Sequence, residues 1–307
     1  MTDEPVPPPA TMRAIRLKDE GLDGLVSEQI PTPEPGAGET LVRVHAAAIT
    51  RDELEWPTDR LPAIPSYELS GVVVDTGPDV DENLVGEAVY ALTAFDRDGA
   101  AAEYAVVPTG LLAPKPQRLD HIESAAVPLA ALSAWQALFD HGQLAEGQRV
   151  LIHGATGGVG RFATQLARER GAHVIAGVSS RNVDAARALG ADEVIDHTTT
   201  RFEDAIEPVD LVFDTAGGDH LQRSPAVLRE GGRLVSVAEE PPDGGVYFVV
   251  EPNREQLLEI SKHIDAGALR PAIDGIFELS DARAAFERSL SRDTRGKVVL
   301  RVAGEEG

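Results

Sequence analysis

The residues with the plainest chemistry are the glycines of HGATGGVGR, residues 153–161. Four of them, Gly154, Gly157, Gly158 and Gly160, fall within seven positions, between the apolar run RVLI and the helix-like run FATQLARERGA. Glycine this dense costs conformational entropy on folding, so bare backbone is needed there. Spacing of the form Gly-x-x-Gly-x-x-Gly suits a strand-to-helix turn laid against a pyrophosphate. One glycine permits the turn, one admits the phosphate to backbone N–H groups, and the last lets helix and strand pack closely. The helix N-terminus adds unpaired donors and a partial positive charge. Gly154, Thr156, Gly157, Gly158, Val159 and Gly160 are therefore assigned to a dinucleotide.

Which dinucleotide depends on the end of the next strand. An NAD site places Asp or Glu there for the ribose 2′-hydroxyl. This strand ends AGVSSRN, with Ser179, Ser180 and Arg181 and no acid. Hydroxyls and a guanidinium suit a 2′-phosphate, so NADP(H) is expected. His197, after the third strand, is placed in the same adenine-side pocket. Ligands collect at the carboxyl ends of parallel strands. Thr215, Ala216 and Val237 are therefore expected on the nicotinamide side, with Phe248 and Val249 covering it.

These residues need particular elements to hold them. From 149 the chain alternates RVLIHGA, a helix over 158–170, HVIAGVS, a helix over 182–189, EVIDH, DLVFDTAGG, a helix over 219–229 and GRLVSVAEE. That βαβ rhythm predicts a doubly wound parallel sheet, an α/β fold. The first third is different: short apolar or alternating runs between turn sequences such as PTPEPGAGE and TGPD predict a β-rich domain. Helical spacing sets in near 121, with Pro128 as a break. A helix from 253 to about 266 and another over 281–291 precede the closing strand GKVVLRV. Expected boundaries are a loose tail over 1–11, a β-rich domain over 12–124 and 268–307, and a nucleotide domain over 125–267.

Composition narrows the partners. The 307 residues carry a net charge of −23 and no cysteine. That charge argues against nucleic acid and anionic membranes. Without cysteine, thiolate–zinc sites and a cysteine nucleophile are excluded, so any metal would need His, Asp and Glu. The acidic, proline-rich start is no signal peptide and no run is apolar enough to span a bilayer, which predicts a cytoplasmic protein.

With these residues in hand, the chain resembles the zinc-independent quinone oxidoreductase (zeta-crystallin-like) branch of the medium-chain dehydrogenase/reductase superfamily. The resemblance runs from Met12 to Val302 and is carried by PAIPSYELSGVV, AAVPLAALSAWQAL, the glycine stretch through VSS, LGADEVID, DLVFDTAGG, GGRLVSV and GKVVL. It implies a GroES-like β-rich catalytic domain, a Rossmann domain, a cleft between them and a homodimer paired near VYFVV (246–250). Zinc-dependent relatives place cysteine where this chain has Thr50 and histidine where it has Tyr67, so no metal is expected; His45 nearby is read as structural. Thr50 also replaces the branch's usual Asn, and Ser66 its glycine.

The implied chemistry is hydride transfer from NADPH to a small electrophilic acceptor, a quinone or an α,β-unsaturated carbonyl, without a Lewis acid. Tyr67, Thr50 and Ser133 are the candidate hydroxyls for the developing oxyanion, with Tyr67 first, and Trp56 is a candidate pocket wall. Two alternatives stay open: an enoyl-thioester or other double-bond reductase on the same scaffold, and a non-catalytic NADPH-binding protein.

Overall fold

The structure, a computed structural model, describes residues 7–56, 59–242, 244–291 and 293–303. Of the expected loose tail, residues 1–6 lie outside the described residues, and Thr11 already opens a strand. The chain divides into two compact units. The first comprises Met1–Leu129, Pro252–Asp265 and Ala272–Gly307; the second comprises Ala130–Glu251 and Ala266–Pro271.

In the first unit β1 (Thr11–Leu17) and β2 (Leu25–Pro31) form an antiparallel ribbon. The long β3 (Glu39–Ile49) pairs antiparallel with β4 (Glu68–Thr76) along one side. Then come β5 (Ala88–Leu92), β6 (Tyr104–Pro108) and β7 (Ala113–Pro114). The composition of β3 explains its place: Val42, Val44 and Ala47 join the interior with Leu69 and Val89, while Ala46 and Ala48 meet Ala125 and Ala126. Small side chains on that second face let α1 (His121–Ala125) lie directly on the sheet. Asp120 and Glu123 start that helix with a reciprocal capping box. As Pro128 predicts, a separate helix follows, α2 (Pro128–Trp135).

The second unit is an all-parallel sheet of β8 (Arg149–His153), β9 (His173–Val178), β10 (Glu193–Asp196), β11 (Val209–Asp214), β12 (Leu228–Ser236) and β13 (Val246–Tyr247). Spatial order is β10-β9-β8-β11-β12-β13, so the chain reverses direction across the sheet between β8 and β11. A crevice opens at such a switch point, and this 3-2-1-4-5-6 order is that of dinucleotide-binding folds. The α/β class is as expected. The intervening helices are α3 (Gly158–Glu169), α4 (Val183–Ala188) and α5 (Gly218–Arg223). The helix expected over 219–229 is shorter: Pro225, which has no N–H to donate, turns the chain into a 3-10 segment, and Leu228 is already strand.

The chain then returns to the first unit. Helix α6 (Arg254–Asp265) belongs there, whereas the expected boundary put it with the nucleotide domain. The reason is specific: the Tyr90 hydroxyl donates to Leu257 O at 2.6 Å and pairs with Ser261 Oγ at 2.8 Å. Strand β14 (Ile273–Glu278), α7 (Ala282–Leu290) and β15 (Lys297–Arg301) complete the unit. Strand β15 runs antiparallel to β3 with Val298 opposite Ile49, which brings the last strand beside residue 50.

Candidate active site and coenzyme turn

The glycine turn sits between β8 and α3. Gly154 has φ of 73°, and a Cβ there would lie 2.4 Å from Thr215 Oγ1. A Cβ on Gly160 would lie 2.1 Å from Gly154 O, so that glycine permits the helix to cross the turn. Gly157 stands at the N-cap without a side-chain cap, and Arg161 N donates to Gly157 O at 2.9 Å. The N–H groups of Gly158, Val159 and Gly160 are thus the helix's orphan donors. Thr156 is buried and Ala155 O accepts from Thr164 Oγ1 at 3.1 Å, which fixes the turn from behind. An uncapped helix start behind bare backbone fits the pyrophosphate of a dinucleotide.

At the end of β9 the hydroxyls are arranged differently from expectation. Ser179 takes the N-cap position but makes no backbone cap; its Oγ accepts from Asn182 Nδ2 at 3.4 Å. Ser180 Oγ donates to Asp196 Oδ2 at 2.5 Å and lies 2.7 Å from Thr198 Oγ1. The Ser180 and Thr198 hydroxyls hold the Asp196 carboxyl below its ordinary pKa. Arg181 is exposed. His197 lies 4.6 Å, centroid to centroid, from His220, which stacks at 5.6 Å on His153. His153 Nε2 is 3.0 Å from Ser224 Oγ, and burial pushes its pKa down to about 3. Sequence reasoning missed Asp196, His153 and His220. The motif VIDH carries the first, but its carboxylate reaches Ser180 only because β10 pairs with β9, Asp196 beside Val178.

Next to the turn, Thr215 Oγ1 donates to His153 O at 2.8 Å. Asp214 is buried, accepts from Gly217 N at 2.8 Å, and its pKa is raised by desolvation. Ala216 is exposed and Val237 N donates to Asp214 O at 3.2 Å. Phe248 rests 4.4 Å from the His141 ring, while Val249 is 61% exposed.

In the first unit the candidate hydroxyls part company. Tyr67 is fully buried; its ring lies 5.7 Å from Trp56 and 5.3 Å from Phe95, and its hydroxyl accepts from Arg60 Nη2 at 2.7 Å. Burial pushes the phenol up to about 12. Thr50 instead joins a polar cluster that the sequence did not reveal. Lys297 Nζ donates to Thr50 Oγ1 at 3.0 Å and forms an ion pair with Glu68. Glu68 Oε2 accepts from Leu129 N at 2.9 Å. Glu53, also buried, accepts from Thr50 N at 3.0 Å and Ser66 N at 3.2 Å, and burial raises it to about 8. Ser133, the third hydroxyl, is buried on α2 within the second unit. His45 stacks on His121 at 4.3 Å.

Family models match in both units: residues 36–117 match the alcohol dehydrogenase GroES-like domain, and residues 189–300 match the zinc-binding dehydrogenase family. The chain is 32% identical to the NADPH-dependent alkenal/one oxidoreductase, chloroplastic, of Arabidopsis thaliana, over 95% of this chain and 80% of the relative. The chain belongs to the medium-chain dehydrogenase/reductase superfamily. A probable zinc-binding oxidoreductase of Arthroderma benhamiae is 32% identical, covering 96% of this chain and 98% of the relative. Among solved structures, the quinone oxidoreductase from Coxiella burnetii superposes with a TM-score of 0.89 at 32% identity, covering 95% of this chain and all of that one.

Zinc is implied by the name of the family that residues 189–300 match, but the donors here do not suit it. A threonine hydroxyl already accepting from an ammonium and a phenol accepting from a guanidinium are poor zinc ligands, and the chain has no thiolate. Among the described residues no three His, Asp or Glu side chains converge on a metal-sized site.

Proposed function

We propose that this medium-chain dehydrogenase/reductase is a zinc-independent, NADPH-dependent reductase of quinones or α,β-unsaturated carbonyls. The observation that carries it is the coenzyme turn, an uncapped helix start framed by glycines whose Cβ atoms would strike backbone or Thr215. The relatives named as quinone and alkenal/one oxidoreductases support the acceptor class. When bound, the nicotinamide supplies a hydride, which saturates the electrophilic carbon while the displaced electron pair moves to the acceptor's oxygen. The residues of this chain orient the coenzyme and stabilise that oxygen. We assign the pyrophosphate to Gly157, Gly158, Val159 and Gly160 and the oxyanion to Thr50. Tyr67 is set aside as an acid because burial pushes its phenol up to about 12 and its hydroxyl is engaged by Arg60.

Ser179 and Arg181 support a 2′-phosphate and hence NADP(H). One observation favours a second reading, use of NADH: the Asp196 carboxylate, bound to Ser180, stands beside these donors and repels a phosphate while suiting a 2′-hydroxyl. Pairing of two copies at β13 is supported by its place at the end of the sheet and by exposed Val246, Tyr247 and Val249. The charge of −23 supports a freely diffusing, cytoplasmic protein rather than one held on an anionic membrane.

The test is coenzyme oxidation with NADPH and NADH, each against a benzoquinone, a phenanthrenequinone, a 2-alkenal and crotonyl-CoA, in EDTA. Turnover with a quinone or alkenal is expected. A preference for crotonyl-CoA would move the protein to the thioester reductases. Coenzyme binding without turnover on any acceptor would make it a binder.

A further inference from the structure

Lys297 lies at the start of β15, Thr50 just past the end of β3, and Glu68 at the start of β4, three neighbouring strands of one sheet. The Lys297 and Glu68 side chains are only 8% and 0% exposed. A buried ion pair of this kind is weak support for stability, since an apolar pair of similar volume does as well. Its presence calls for another explanation, and the third member of the cluster offers one. An ammonium has donors and no acceptor. Thr50 Oγ1 must therefore accept from Lys297, at 3.0 Å, which spends one oxygen lone pair and leaves the single hydroxyl proton to be donated elsewhere. Thr50 is half-buried, so that proton can meet a ligand. An ammonium donating to the oxygen also polarises the O–H and makes it a stronger donor.

We propose that Lys297 is a positioning residue: its ammonium, anchored by Glu68, orients and polarises the Thr50 hydroxyl so that Thr50 donates to an anionic oxygen of the acceptor. Glu68 holds the ammonium in place through their ion pair, with its other oxygen accepting from Leu129 N at 2.9 Å. Glu53, a third titratable side chain near the cluster, is bound to the backbone N–H of Thr50 rather than to its hydroxyl. The assignment rests on the reductase reading for its use in turnover, but not for the electrostatics at position 50.

The chain's lack of cysteine gives a direct probe of those electrostatics. In T50C the introduced thiol is unique, and its ionisation can be followed by thiolate ultraviolet absorbance in EDTA. The comparison is T50C/K297M/E68Q, which removes both charges together and leaves no buried ion unpaired; Glu53 is common to both. The thiol of T50C is expected to ionise about one pH unit or more below that of the triple variant. Equal values overturn the proposal, whatever the protein's activity.

If the wild type reduces quinones or alkenals, kinetics add a second arm. T50V and K297M/E68Q should each lower kcat by about ten- to a hundredfold, below the effect of a full oxyanion-hole donor in a closed site. The combined variant should lose no more than either, K297R should recover part of the rate, and NADPH affinity should stay unchanged throughout. Additive losses, or none, would make the cluster merely structural. A wild type without turnover would defeat the reductase reading and leave the thiol titration to decide this one.

Discussion

Ser180 and Asp196 share a hydrogen bond of 2.5 Å between the ends of β9 and β10, so the position read as a phosphate donor is committed to a carboxylate. A negative charge there opposes a 2′-phosphate and favours a ribose hydroxyl, and Asp196 should act as the brake on NADPH preference. D196N is expected to raise the ratio of kcat/KM for NADPH over NADH by about tenfold, the order of one screened charge contact. An unchanged ratio would remove Asp196 from the coenzyme pocket.

The coenzyme turn makes a steric prediction. G160A places a methyl 2.1 Å from where Gly154 O now lies, so backbone must shift and the orphan donors with it. NADPH binding, measured by fluorescence titration, should weaken by tenfold or more, on the order of 1.4 kcal/mol. G110A serves as the control, because nothing lies within 4 Å of a Cβ there. Its affinity and melting temperature should match the wild type.

Glu53 makes a prediction about pH. Burial raises its folded-state pKa from 4.5 to about 8, so the folded protein holds this proton where the unfolded chain has released it. The stabilising contribution is fully present below about pH 4.5 and is lost as pH rises through about 8. E53Q stays neutral, and although it gives up one acceptor for Thr50 N or Ser66 N, it should flatten that part of the Tm-against-pH curve. Parallel curves for E53Q and wild type would show that Glu53 is ionised in the folded protein at neutral pH.

Tyr67 and Thr50 differ in what their removal should do. Y67F deletes a buried hydroxyl that accepts from Arg60, so it should cost stability, about 1 kcal/mol, while kcat stays within a few-fold. A loss of kcat in Y67F as large as in T50V would return Tyr67 to the acceptor's oxygen.

Tyr90 tests the allegiance of α6. Y90F removes its bonds to Leu257 O and Ser261 Oγ, leaving a carbonyl of that helix without this donor. Unfolding should become easier by about 1–3 kcal/mol, and hydrogen exchange should rise within α6, with coenzyme affinity unchanged. Faster exchange confined to α3–α5 would contradict the tether.

What the sequence determined by itself is what short-range spacing encodes. The glycines of 154–160 announce a turn because steric demand on backbone is local, and the βαβ rhythm from 149 onward announces a parallel sheet because burial on two faces needs long apolar runs. Pro128 marked a helix boundary for the same local reason. The absence of cysteine likewise needs no coordinates. Tertiary structure decided the rest, because strand pairing joins positions that no spacing relates. Lys297 meets Thr50 across 247 residues, since the last strand lies against the third. Asp196 reaches Ser180 because β10 lies beside β9. The Tyr67 ring, adjacent in sequence to Glu68, points to Arg60, Trp56 and Phe95, while Glu68 turns to Lys297. Alternation along a strand sends neighbours to opposite faces, and which face holds the chemistry is settled only when the sheet is packed.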